Sequence, residues 1–138
     1  MSVLICGSRD PKNPFLAKVT VDDMIAKMTK GMVILNGGAR GIDSYVIDAV
    51  KRDPMNVVVD LGTDWTYPYR PVTDALTCLI FRPDWKRHGK RAGIMRNIFM
   101  LDLHPEMIVC LWNGESNGTR HVIEGGRERQ LATVVIEA

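Results

Sequence analysis

The sequence predicts a single Rossmann-like α/β domain over residues 1–138, with a mainly parallel sheet flanked by helices. Short apolar runs alternate with amphipathic stretches, which is typical of parallel strands joined by crossover helices. Polar or glycine-rich loops follow three of the apolar runs, as expected at the carboxyl ends of parallel strands. With 46% hydrophobic and 25% charged residues, the 138-residue chain is large enough to bury one core without disulfides or metal.

The amino-terminal half predicts three strands, at residues 2–6, 32–35 and 56–61, with two helices between them. A helix of about ten residues is predicted after a Pro-rich loop, because apolar residues recur with helical spacing. Thr20 and Asp23 resemble the start of a capping box for it. The second helix is predicted over residues 42–52. The spaced apolar residues of the first helix are Val21, Met24, Ile25 and Met28, and those of the second are Tyr45, Val46, Ala49 and Val50.

The carboxyl-terminal half is less regular at its start. Residues 62–77 show neither a helical nor a strand period and are interpreted as an inserted loop or short hairpin. A short strand at 78–81 and a polar stretch at 82–90 precede a helix predicted over 91–103. The remaining elements are a buried strand at 107–112, a turn-rich loop at 113–119, a helix at 119–128 and a last strand at 132–136.

The most informative segment runs from Met32 to Asp43, where an apolar strand ends in Gly-Gly-Ala-Arg-Gly and is followed by a helix. Gly37, Gly38 and Gly41 allow positive φ angles and close approach of a ligand to the backbone. The helix that follows directs unpaired amides at the loop, which favours an anion such as phosphate. The alternative is that these glycines only make a tight turn between strand and helix.

Two further loops are predicted at the same edge of the sheet. Gly7, Ser8, Arg9 and Asp10 follow the first strand and offer a hydroxyl and a guanidinium. Residues 114–119 follow the strand at 107–112. Because ligands bind at the carboxyl edge of open parallel sheets, all three loops are expected to face one cleft. Arg9 could equally form a surface ion pair.

A basic cluster lies at the start of the helix predicted over 91–103. Its members are Lys86, Arg87, His88, Lys90, Arg91 and Arg96. Cations in the first turn oppose the helix macrodipole, so an anion or a fold contact is expected to compensate them. The alternative is a solvated basic loop. Trp85 beside this cluster, and Trp112 after its strand, could stack on a base, although Trp112 fits the core better.

Several classes of protein and site are not expected. The net charge of +2 gives no global field for binding nucleic acid or a membrane, and no apolar run approaches the length of a membrane span. The amino terminus lacks the features of a signal peptide, which favours the cytoplasm. Cys6, Cys78 and Cys110 lie in apolar runs and are expected in the core. Zinc spacing, Walker A and G-x-G-x-x-G patterns are absent, so no metal and no cofactor are expected.

The helix predicted over 91–103 carries apolar residues over more than one stripe. Such a helix is either deeply buried or packed against another subunit, and a homodimer is favoured. The apolar residues are Ile94, Met95, Ile98, Phe99, Met100 and Leu101.

Four segments in order, CGSRD, NGGARGID, DWKRHGKRAGIMRN and WNGESNGTRHVI, resemble the motifs of the SLOG superfamily, closest to its YspA/YpsA-related group. The resemblance covers most of the chain, but residues 62–77 fit the family pattern poorly. It implies a Rossmann-like fold that binds a nucleotide or nucleotide-derived molecule. It also implies that phosphate lies against residues 37–41, with Gly118 and Thr119 across the cleft.

Lonely Guy type phosphoribohydrolases of the same superfamily use an arginine and a glutamate. In this chain Val122 stands where the resemblance would place that glutamate, and Glu124 is turned about 200° away on the helix. Arg96 is the catalytic candidate if the protein is a hydrolase. The sequence therefore favours a nucleotide-ligand-binding protein, with the hydrolase as one alternative and a single-stranded nucleic-acid or DNA-processing module as another.

The expected ligand-binding residues come from all four motifs, and some of them rest on the resemblance. They are Gly7, Ser8, Arg9, Gly37, Gly38, Ala39, Arg40, Gly41, Asp43, Trp85, His88, Lys90, Arg96, Asn97, Gly114, Gly118 and Thr119.

Overall fold

The computed structural model describes residues 1–66 and 74–138, and it confirms the predicted α/β class. Six parallel strands form one sheet in the order β3-β4-β2-β1-β5-β6. The strands are β1 (Ser2–Gly7), β2 (Val33–Asn36), β3 (Val57–Asp60), β4 (Thr77–Ile80), β5 (Met107–Trp112) and β6 (Thr133–Glu137). Since β2 and β5 pair with opposite edges of β1, the strand order reverses at β1. In open parallel sheets, ligands bind at such a reversal.

Helices cover both faces of the sheet. They are α1 (Pro14–Ala26), α2 (Ile42–Lys51), α3 (Trp85–His88), α4 (Ala92–Asp102) and α5 (Asn117–Glu128), with a 3-10 turn at Gly89–Arg91. The helices α1 and α2 pack on one face around Val21 and Val46, whereas α4 and α5 pack on the other around Met100 and Val122. Successive residues of β1 alternate between these two cores, as the pleat of a strand requires.

The first helix begins earlier than its apolar spacing predicts, and the capping box predicted at Thr20 is wrong. Asn13 caps α1 by accepting a hydrogen bond from the Leu16 amide at 3.1 Å, and Pro14 occupies the first turn. Thr20 lies inside the helix, where its hydroxyl donates to the Leu16 carbonyl at 2.9 Å. The spacing signal missed the first two turns because Phe15, Leu16 and Val19 are apolar but exposed.

Two other boundaries bear on the site. Ser116 caps α5, so Asn117 and Gly118 belong to its first turn instead of the preceding loop. The segment predicted as a loop or hairpin at 62–77 ends inside the sheet, because Thr77 begins β4 and pairs with Val33 and Val57. Residues 67–73 of that segment lie outside the described residues.

The three cysteines are buried and free, as the sequence predicts for core residues. Within the described ranges, no helix has the length and apolar character needed to cross a membrane.

Candidate functional site

A cleft of about 380 Å³ lies at the carboxyl ends of β1 and β2, bordered by α4 and the first turn of α5. The three loops that the sequence places at this edge all contribute to it. The lining residues are Cys6, Gly7, Arg9, Gly37, Ala39, Asp43, Trp85, Lys90, Gly93, Ile94, Arg96, Asn97, Met100, Ser116, Asn117, Gly118, Thr119, His121 and Val122. This volume is within the range of small-molecule sites.

Most of the expected ligand-binding residues line this cleft. They are Gly7, Arg9, Gly37, Ala39, Asp43, Trp85, Lys90, Arg96, Asn97, Gly118 and Thr119. Ser8, Gly38, Arg40, Gly41, His88 and Gly114 are not part of the lining. Ser8 is fully buried, and its hydroxyl accepts a hydrogen bond from the Asn113 amide at 2.9 Å. Arg40 forms an exposed ion pair with Asp10 at 3.0 Å.

The glycines of the loop after β2 make room for other parts of the protein. A Cβ on Gly37 would overlap the Arg96 guanidinium. Gly41 has a φ of 76° and lies against the carbonyl oxygens of Ser8 and Arg9, so it permits the β1 loop to contact the start of α2. Close packing between loops therefore accounts for these two glycines.

Two amides of the same loop are engaged within the protein. The Gly38 amide donates to Asn36 Oδ1 at 2.8 Å, and the Ala39 amide donates to Asp43 Oδ2 at 3.1 Å. These bonds fix the loop without a ligand. A ligand in the cleft would therefore depend on other groups besides these two amides.

Asp43 lies in the first turn of α2 and is only 4% exposed. Burial raises the pKa of its carboxyl group to about 6, although the Ala39 amide and the nearby Arg96 and Arg9 guanidinium groups favour the ionised form. Its Oδ1 is buried and has no hydrogen-bond partner among residues 1–66 and 74–138. Asp43 is thus the acidic residue of the lining, held beside two arginines.

Arg96 on α4 is 7% exposed and joins three parts of the chain. Its guanidinium donates to the carbonyls of Gly37 and Phe81, the latter at 3.1 Å, and to Asn97 Oδ1 at 2.9 Å. Burial lowers the pKa of Arg96, because the charged guanidinium is removed from water. Through these bonds, Arg96 connects the glycine loop, the end of β4 and α4.

Exposed cations and an indole ring flank the mouth of the cleft. Arg9 and Lys90 are exposed and line it from the β1 loop and from the turn before α4. Trp85 is 49% exposed, and its ring lies beside Gly93, where a Cβ would come within 3.3 Å. The Arg9 guanidinium lies 6.0 Å from the Trp85 ring centroid, a cation–π distance. The mouth therefore combines positive charge with an accessible aromatic surface.

The first turn of α5 forms another part of the cleft. Ser116 Oγ accepts a hydrogen bond from the Thr119 amide at 3.4 Å, which leaves the amides of Asn117 and Gly118 unengaged by this cap. A Cβ on Gly118 would meet no atom within 4 Å, so the backbone is open there. Asn97 Nδ2 donates to the Gly118 carbonyl at 3.4 Å and joins α4 to this turn.

Several lining residues were not among the expected ones. They are Cys6, Gly93, Ile94, Met100, Ser116, Asn117 and Val122. Ser116 could have been recognised as a helix cap from its residue type and position before a helical run. His121 lines the cleft, and its Nδ1 is buried without a partner in the described part of the chain. The apolar residues gave no signal, because their spacing is that of core residues.

Cys6 lies at the base of the cleft beside Cys110 of the adjacent strand. Their sulfur atoms are 3.4 Å apart. The contact with Cys110, together with burial, raises the pKa of Cys6 well above its ordinary value. Cys6 is therefore a protonated thiol at neutral pH and not a thiolate nucleophile.

The fold and the cleft define a single-domain, Rossmann-like α/β protein with a cleft at the strand-order reversal. The chain is 31% identical over 134 residues to the "Gene 61 protein" of Mycobacterium phage D29, and the match covers 97% of this chain and 92% of that protein. It belongs to the family of that phage protein. No family model and no solved structure matches the chain.

Proposed function

We propose that the cleft binds a nucleotide or a nucleotide-derived small molecule, and that the protein senses or sequesters it. The observation that carries this proposal is the set of anion-binding groups around one cleft: Arg9, Lys90 and the open first turn of α5 at Gly118. Helix amino termini and guanidinium groups are the usual partners of phosphate in proteins. The SLOG resemblance of the motifs agrees with this class of ligand.

The phosphate is best placed between the backbone at Gly37 and the first turn of α5. The engaged amides of Gly38 and Ala39 argue against a cradle made by the glycine loop alone. Asn117 and Gly118 offer the amides that the loop lacks, and Arg9 adds charge at the mouth. In this arrangement the glycine loop forms one wall of the phosphate site.

The base is assigned to Trp85. Its half-exposed ring at the mouth suits stacking, and stacking on an aromatic side chain contributes about 1–3 kcal/mol per base. Asn97 and Thr119 also line the cleft, and they suit hydroxyl or phosphate oxygens. The cleft of about 380 Å³ has room for a mononucleotide-sized ligand.

Ligand-observed proton NMR with a panel of purine and pyrimidine nucleotides, cyclic nucleotides and ADP-ribose-like molecules tests the proposal. Saturation transfer to at least one member is expected. Gly118→Glu should weaken that binding at least about tenfold, because a carboxylate would face the phosphate. Gly118→Gln is the matched control, since it adds similar bulk without charge.

Both variants should keep the fold. The position is open, and a carboxylate in the first turn of a helix favours the macrodipole. Binding by Gly118→Glu equal to that of the wild type would contradict the phosphate placement. Absence of saturation transfer across the whole panel would contradict the proposed ligand class.

The second candidate is hydrolysis of the N-glycosidic bond of a nucleoside monophosphate. Val122 lines the cleft, so the position where the resemblance expects a glutamate faces the site but carries no carboxylate. Asp43 favours this candidate nevertheless, because it brings a buried carboxyl group into the same lining. A carboxylate there could stabilise an oxocarbenium-like transition state.

The same NMR samples followed for several hours separate binding from hydrolysis. Release of free base and ribose phosphate, abolished by Asp43→Asn, would establish the hydrolase. Asp43→Asn retains an oxygen that can accept the Ala39 amide, so it tests the charge more than the loop structure. Unchanged ligand spectra with saturation transfer would support binding alone.

A further inference from the structure

The exposed side of α4 forms an apolar stripe outside the fold's own cores. Ile94, Met95 and Ile98 are exposed on this helix, and Leu103 follows directly after it. The opposite side of α4 is buried, with Met100 and Leu101 in the core shared with α5. Contiguous exposed apolar surface of this kind marks interaction sites. We name Ile94, Met95 and Ile98 the α4 stripe.

We propose that the α4 stripe is the interface of a homodimer in which the α4 helices of two copies pack antiparallel. The proposed dimer borders the cleft at Ile94 but does not depend on the proposed ligand. Its first basis is that the stripe is self-complementary in this orientation. A twofold axis near the midpoint between Arg96 and Asn97 brings Met95 opposite the partner's Ile98 and, by symmetry, Ile98 opposite the partner's Met95.

Charge at the two ends of the helix points to the same orientation. Arg91 precedes α4 and Asp102 ends it, so the antiparallel copy brings Arg91 opposite the partner's Asp102, twice per dimer. Arg91 has no ion pair with a carboxylate among the residues that the structure describes. Asp102 uses only Oδ1 to bind Arg129, and its side chain is 61% exposed, which leaves Oδ2 for a second cation.

The macrodipole of α4 supports the same arrangement. The helix has no acidic residue in its first turn, and the residues before it, Lys90 and Arg91, are basic. These cations face the positive end of the dipole, which is unfavourable. An antiparallel partner places the negative end of its own α4 beside them. Dimerisation thus relieves a charge arrangement that is unfavourable in the single chain.

The interface would also bear on the cleft. Ile94 belongs to the stripe and lines the cleft as well, and Trp85 lies exposed beside the same end of α4. The second copy therefore lies next to the mouth of each cleft. Leu103 extends the contact beyond one short helix, toward the roughly 800 Å² per partner that a stable dimer buries.

Sedimentation velocity over a dilution series tests this interface. The wild-type protein is expected to be a dimer at micromolar concentration. Ile98→Glu should weaken the dimer at least about tenfold, because it places a carboxylate at the centre of the contact. Phe15→Glu is the matched control: Phe15 is a highly exposed apolar residue of α1, a helix on the other face of the sheet.

Charge reversal tests the orientation. Arg91→Asp should weaken the dimer several-fold, and the double variant Arg91→Asp with Asp102→Arg should restore it. All of these positions are exposed, so each variant should fold, and circular dichroism checks that it does. A monomeric wild type overturns the proposal, as does a dimer that Phe15→Glu disrupts and Ile98→Glu does not. Asp102→Arg also removes the ion pair with Arg129, so the single variant Asp102→Arg is measured beside the double one. A double variant that dimerises no better than either single variant overturns the antiparallel arrangement.

Discussion

Replacement of Arg96 by Met should unfold the protein much more readily, because Arg96 holds the loops of the site together. The guanidinium satisfies the carbonyls of Gly37 and Phe81 in a buried position. Each buried carbonyl left without a donor costs about 1–3 kcal/mol, so the two together cost about 2–6 kcal/mol. Removal of a desolvated cation offsets part of this, and Met fills most of the space. We expect Arg96→Met to lower the free energy of unfolding by about 2–4 kcal/mol.

That loss is a large fraction of the 5–15 kcal/mol by which a domain is usually stable. The assay is urea unfolding followed by circular dichroism, with the dependence on urea concentration compared between variants. Arg9→Met is the matched control, because Arg9 is exposed at the same cleft and should change stability by no more than about 0.5 kcal/mol. A free energy of unfolding for Arg96→Met within about 1 kcal/mol of the wild type would refute this role.

Asp43, Gly41 and Trp85 each make a contact whose loss can be measured. The pKa of Asp43 is raised in the folded state from an ordinary 3.8 to about 6, so its contribution to stability falls as pH rises between these values, by up to about 3 kcal/mol. Asp43→Asn should therefore be more stable than the wild type at pH 7 but not at pH 4, as measured by urea unfolding at both; equal differences at the two values would contradict the shift. Gly41→Ala should lower the free energy of unfolding by about 2 kcal/mol or more, because positive φ and the carbonyls of the β1 loop both oppose a Cβ. Gly114→Ala, at a φ of 84° in open space, should lower it by only about 1 kcal/mol in the same assay. Trp85→Ala should weaken nucleotide binding about 5- to 150-fold in calorimetry without lowering the melting temperature, and unchanged affinity would remove Trp85 from the site.

The fold could be predicted from sequence because its signals are local. Each strand is a short apolar run, and β5 has the predicted bounds of Met107–Trp112. The start of α1 could not be placed from apolar spacing, because Phe15 and Leu16 face outward and the real signals are Asn13 and Pro14. Helix ends are decided by caps that involve one or two side chains, whereas helix existence is decided by a pattern over many residues.

The convergence of three loops on one cleft could also be predicted, because parallel strands carry their carboxyl ends at one edge. The contacts that each residue makes in the cleft could not be predicted. In the sequence, Arg96 belongs to a basic cluster, but in the structure it donates to the carbonyls of Gly37 and Phe81, which are distant in sequence. The sequence predicts Asp43 as a ligand-binding residue, but its burial and raised pKa depend on packing between α2, β1 and α4. The local spacing of residue types in the sequence does not predict such long-range contacts.

Amide NMR of the labelled protein tests most directly whether the cleft binds a phosphate-bearing, nucleotide-derived ligand. Titration with the nucleotides that give saturation transfer should shift the amides of Gly7, Gly37 and Asn117 to Thr119, which surround the cleft. The shifts should be lost in Gly118→Glu. Shifts confined to the separate cavity near Leu16 and Glu137, or no shifts with any nucleotide tested, would contradict the account.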